Sequence, residues 1–147
     1  MYKYSLLDNP IAIFILLLFV MIINIFLPVH FLSLLLIGVI YTVFTKSLEK
    51  EYYNSLAFMI VAFSVIELAQ GLKLFSLSLL AFFIHIFISP LLKKTLTSEK
   101  LVSIMVVFLF YLGTIILFSF LGDISYELGA ILLINYFIDI IILGILL

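Results

Sequence analysis

The chain has 147 residues, of which 67% are hydrophobic and 10% charged, and its net charge is −1. A soluble domain of this size cannot bury that much apolar surface, and a near-neutral balance with no basic block argues against nucleic acid as a partner. Cysteine is absent, so disulfides, thiol chemistry and cysteine-ligated metal are excluded.

A bilayer span needs ~20 apolar residues, so six spans use roughly 120 and leave only short loops. The sequence therefore predicts an all-α integral membrane protein. It is one domain over residues 1–147, a compact bundle of six transmembrane helices. Helix 1 is expected over residues 10–27, where Asn9 offers an N-cap acceptor and Pro10 suits the first turn. Pro28 marks the turn into helix 2, expected over 29–45. A polar loop over 46–54 leads to helix 3, which begins at Asn54 or Ser55 and ends near Gly71, a C-cap candidate. Helix 4 is expected over 74–92, with Ser89-Pro90 kinking its last turn. After a second polar loop over 93–100, in which Ser98 is a cap candidate, helix 5 is expected over 101–121. Helix 6 follows over 128–147. Tyr2, Tyr4, Tyr52, Tyr53 and Tyr126 fall at expected interfaces, where an amphipathic ring is favoured.

The basic residues are all lysines, and their distribution sets the orientation. Threading six helices places Lys3, Lys46, Lys50, Lys93, Lys94 and Lys100 on one side and Lys73 alone on the other. The positive-inside rule makes the lysine-rich side cytoplasmic. Both termini of this multi-pass protein are then expected in the cytoplasm.

Any chemistry must lie in the few polar groups at membrane depth: Glu67, His85, Asn135, Asp139 and Asn24. A mid-membrane carboxylate costs ~2.5–3.5 kcal/mol on insertion scales. The strong apolar residues of 56–68 return roughly 2.4–4.8 kcal/mol, so helix 3 is near break-even and needs neighbours. On helix 3, Ile60, Ser64, Glu67 and Gly71 form one stripe. On helix 4, Ser78, Ala81, His85 and Ser89 form a small, polar one. Such stripes turn toward other helices. His85 and Asp139 lie at a shared depth, ~16 Å from the outer helix ends, which suggests a His–Asp pair. Glu67, Asn135 and Asn24 suggest an outer polar cluster. Glu67, Gly71, His85, Asn135 and Asp139 are thus the candidate partner or solute site. Asn24, Ser64 and Ser78 read as interhelical glue.

Enzymatic signatures are missing from the sequence. There is no HExxH spacing, nucleophile elbow or P-loop. There is no arginine to clamp phosphate. No cofactor, metal or catalytic residue is expected, and the chain reads as a non-enzyme.

One stretch resembles a known family. Residues 58–80 read FMIVAFSVIELAQGLKLFSLSLL. This resembles the helix 3–turn–helix 4 region of the rod-shape-determining MreD family, in which an acidic-Leu pair is followed by a Gly turn and an apolar helix. Glu67-Leu68 and Gly71 match that pattern, while Glu replaces the usual Asp and Ala62 a common glycine. Length, six spans and small loops are similar too. The resemblance implies a scaffold of the cell-wall elongation machinery of the bacterial inner membrane, binding an MreC-like bitopic protein and, through it, peptidoglycan synthases. A rival also stands on resemblance: the solute-binding membrane subunits of energy-coupling-factor vitamin transporters are similar in their six-helix plan. A scaffold keeps its interior filled, and Phe82, Phe83, Phe87, Phe108 and Phe110 are candidates to fill it. A solute subunit needs a pocket with convergent polar groups.

Overall fold

The computed structural model describes residues 9–26, 36–121 and 126–146. Among these residues the chain is helical: α1 (Pro10–Phe26), α2 (Ile37–Glu49), α3 (Tyr53–Ala69), α4 (Ser76–Thr95), α5 (Glu99–Leu121) and α6 (Tyr126–Leu146). Three helices, α4, α5 and α6, are long and apolar enough to cross a membrane, and α1 and α3 are apolar helices of 17 residues. Large apolar side chains such as Ile11, Phe26, Leu79, Phe120 and Ile145 point outward. An exterior of this kind suits lipid, so the chain is membrane-associated. Lys3 and the loop expected to hold Asp123 lie outside the described residues.

The largest departure from expectation is helix 2. It starts at Ile37 rather than near residue 29, and residues 27–35 lie outside the described ones. With 13 residues α2 is about 20 Å long at 1.5 Å per residue, short of the ~30 Å hydrocarbon core. Residues 37–44 are all buried. A helix apolar on every side belongs at the centre of a bundle, and α2 packs against α3, α5 and α6. α1 is peripheral. Its inward stripe of Ile13, Leu17, Val20 and Asn24 follows helical spacing and lies along α3. Asn9 Oδ1 accepts from the Ile11 amide at 3.0 Å, so the expected cap forms.

Aromatic rings fill the centre. Tyr41 stacks on Phe110 with ring centroids 4.8 Å apart. Phe44 meets Phe82 edge-on at 4.9 Å, and Phe63 lies between Phe44 and Phe110. Of the five phenylalanines expected inside, Phe110 is fully buried and Phe82 and Phe108 partly so, whereas Phe83 and Phe87 face outward. The difference is one of helix face: Phe83 and Phe87 are one turn apart on the outer side of α4.

The loops are shorter than expected. Lys46 and Glu49 are helical, and Lys93 and Lys94 belong to the last turns of α4. Glu51, with φ 57°, ends α2 in a Schellman arrangement: the Tyr52 amide donates to the Ser47 carbonyl and the Glu51 amide to Leu48. Near its end α4 relaxes into a π-helical segment over 84–88. Pro90 explains this. It donates no hydrogen bond and its ring clashes with the carbonyl of Ile86, so the ladder widens just before it. The expected kink thus appears as a local π segment.

Candidate functional site

Glu67 lies at the inner face of α3, fully buried. The chain leaves α3 through a Schellman motif, with Gly71 at φ 72° and the Leu72 amide bonded to the Glu67 carbonyl at 2.8 Å. The C-cap itself is Gln70, and Gly71, expected there from the sequence, is the left-handed residue just past it. The chain then turns back, and α4 begins after Phe75, itself left-handed at φ 68°. Phe75 offers no side-chain cap. The Glu67 carboxylate supplies one: Oε2 accepts the Phe75 amide at 2.6 Å and Oε1 the Leu77 amide at 2.5 Å. Hydrogen bonds to a charged group contribute ~1.5–3 kcal/mol each, and a carboxylate at a helix N-terminus gains further from the macrodipole. Two such bonds offset the ~2.5–3.5 kcal/mol of burying the charge. The break-even of helix 3 is resolved inside the α3–α4 hairpin.

Asp139 repeats this device across the bundle. α2 also starts after a left-handed residue without a side-chain cap, Leu36 at φ 63°. Asp139 Oδ2 accepts the Gly38 amide at 2.7 Å and the Tyr111 hydroxyl at 2.7 Å. Asp139 is fully buried, and its Oδ1 has no hydrogen-bond partner among the described residues. Glycine at 38 is dictated by this approach, because a Cβ there would lie 2.6 Å from Asp139 Oδ2.

The expected His85–Asp139 pair does not form. His85 is half-buried on α4, and its Nδ1 has no partner among the described residues. α4 packs against α3 and α5, while α6 packs against α5 and α2. Similar depth along two helices does not make them neighbours, and the helix packed against both is α5. Both Glu67 oxygens are engaged by main-chain amides, those of Phe75 and Leu77. Asn24 donates to the Val20 carbonyl of its own helix at 2.9 Å, and Asn135 is fully buried on α6. Ser64 donates to the Ile60 carbonyl at 2.8 Å. Ser78 is buried on the inward stripe of α4, together with Ala81 and Ser89.

A cavity of about 640 Å³ lies elsewhere, at the lysine-rich end between α2, α4 and α5. α2 lines it with Tyr41, Thr42, Thr45, Lys46 and Glu49. Ser89 and Lys93 of α4 face it, with Glu99, Lys100 and Ser103 from the start of α5. A Lys93–Glu49 ion pair of 2.7 Å bridges α2 and α4 at its rim. This contact puts the loops after α2 and after α4 at one end of the bundle, as the lysine distribution requires.

Sequence reasoning missed Gly38, Tyr111 and the cavity. Gly38 and Tyr111 did leave a signal: a glycine inside an apolar run, and a tyrosine far from either helix end. The cavity left none, because its lysines are already explained by topology. No protein-family model matches the chain, and no match is found among curated proteins or solved structures.

Proposed function

We propose that this chain is a non-enzymatic membrane scaffold whose bundle binds other membrane proteins through its outer surface. All six helices, α2 in its central position included, belong to the membrane domain, with the lysine-rich end and both termini in the cytoplasm of a bacterial cell. The observation that supports this reading most is the use of the buried carboxylates. Glu67 and Asp139, the groups best suited to hold a solute or carry a proton, are engaged in holding helix starts. Packed aromatic rings of Tyr41, Phe44, Phe63, Phe82 and Phe110 fill the bundle's interior. What such a bundle offers a partner is shape and an apolar exterior.

By its resemblance over residues 58–80, the scaffold belongs to the cell-wall elongation machinery and holds an MreC-like bitopic protein. The test is depletion in the native host combined with affinity purification from its membranes. Loss of rod shape and recovery of a bitopic partner are expected. Normal shape, with recovery of a transporter ATPase, overturns the proposal in favour of a solute-binding subunit. That second reading draws its support from the cavity at the lysine-rich end.

A further inference from the structure

α2 and α4 stand apart at the lysine-rich end. α2 packs against α3, α5 and α6, and the cavity of about 640 Å³ lies between its last turns and those of α4. Thr45, Lys46 and Glu49 line one wall, and Ser89 and Lys93 the other. The Lys93–Glu49 ion pair of 2.7 Å crosses this gap. Both side chains are about half exposed, so water screens the pair, and it favours the joined state by only about two- to fivefold. Such a bond closes a gap without locking it.

α4 is weakest where its last turns begin. Over residues 84–88 the ladder is π-helical, and the Ser89 amide donates to the Ile84 carbonyl, five residues back. Pro90 has no amide to offer Ile86. The stretch beyond, Ser89–Thr95, starts without a side-chain cap. π segments and prolines are the places where helices bend. At 1.5 Å per residue, Thr95 stands about 10 Å from this pivot and Lys93 about 6 Å. A bend of ~20° at such a site moves Thr95 by about 3–4 Å and Lys93 by about 2 Å. That is enough to take a 2.7 Å pair out of contact. Little packing opposes the motion. Ser89 and Lys93 face the cavity, Pro90, Leu91 and Lys94 are exposed, and Leu92 is only partly seated on the core.

We propose that Ser89–Thr95 is a hinged strap, pivoting on the π segment and latched by the Lys93–Glu49 pair, which together set access to the cavity from the lysine-rich end. With the pair formed, the strap lies across the cavity mouth. With the pair broken, the strap swings away from α2 and the cavity wall is uncovered. The device does not depend on the scaffold reading.

The test uses the full chain, which has no native cysteine, in lipid nanodiscs. Spin labels at Glu51→Cys and Lys94→Cys, both exposed, report the distance between the end of α2 and the strap. With the latch intact the distance distribution is narrow. Glu49→Gln adds a longer component. The charge exchange, Glu49→Lys with Lys93→Glu, restores the narrow distribution. Pro90→Ala lets the ladder close and narrows the distribution of Glu49→Gln. A single cysteine, Ser103→Cys on the cavity wall, gives the second readout. Its labelling by an uncharged maleimide quickens about two- to fivefold in Glu49→Gln. Added salt quickens it in the native background and not in Glu49→Gln. Glu49 and Lys93 are half exposed, so these variants keep the fold. A distribution and a labelling rate unchanged by Glu49→Gln overturn the proposal. So does a charge exchange that fails to restore the narrow distribution, or a Pro90→Ala that leaves Glu49→Gln as broad as before.

Discussion

Asp139 and Gly38, 101 positions apart in sequence, meet at 2.7 Å between carboxylate and amide. This bond joins the last helix to the start of the central one. Tyr111 brings α5 to the same oxygen, so three helices converge on one carboxylate.

The space around Gly38 makes it intolerant of any side chain. In Gly38→Ala the new methyl meets Asp139 Oδ2 at 2.6 Å and Val107 Cγ1 at 2.7 Å. A loss of about 2–4 kcal/mol is expected, in the range of overpacked cores. Gly144→Ala is the control, with nothing within 4 Å of the added carbon. It should be neutral or stabilising by up to ~1 kcal/mol from helix propensity. Reversible unfolding in mixed micelles separates the two.

Tyr111 and Asp139 should be coupled energetically. Each of Tyr111→Phe and Asp139→Asn weakens the node, and the double variant loses less than the sum. A coupling of roughly 1–3 kcal/mol is expected for a charge-assisted bond. A double-mutant cycle on the same unfolding signal measures it. The cycle between His85→Ala and Asp139→Asn should give none.

Glu67→Gln tests the hairpin. The charge that opposes insertion is gone, so translocon insertion of α3 should hold or improve. The folded bundle should nonetheless weaken by about 1–3 kcal/mol. An amide has one acceptor oxygen where the carboxylate uses two, so either Phe75 or Leu77 loses its partner. Insertion and unfolding assays should therefore move in opposite directions. Losses in both, or in neither, contradict the capping role.

Glu51→Gly addresses the end of α2. Glu51 holds φ 57° and is exposed. Glycine adopts this conformation without the Cβ penalty, so a gain of about 1 kcal/mol is expected. A lower stability would mean that the Glu51 side chain makes a contact worth more than the strain.

Where the chain announces its own local geometry, the sequence was readable. Asn9-Pro10 starts α1, Gly71 ends the turn after α3, and Pro90 disturbs α4, because each acts through its own backbone. The polar residues of α3, α4 and α6 were visible because apolar surroundings make them costly. Their partners were not visible. Glu67 bonds to Phe75 and Leu77 through main-chain amides, which carry no sequence signature. Asp139 reaches Gly38 for the same reason. The late start of α2 was hidden too, since residues 29–45 are apolar apart from His30, Ser33, Thr42 and Thr45, and none of these marks a helix start at residue 37.

The account rests on buried carboxylates holding helix starts, and the Gly38 amide reports on this directly. With glycine at only 6 positions, a ¹⁵N-glycine-labelled sample in detergent gives a spectrum simple enough to assign by substitution. The Gly38 proton should resonate far downfield, as a short bond to a carboxylate demands. It should move upfield in Asp139→Asn and stay in place in His85→Ala. A Gly38 resonance unmoved by Asp139→Asn, or displaced by His85→Ala, would contradict the account.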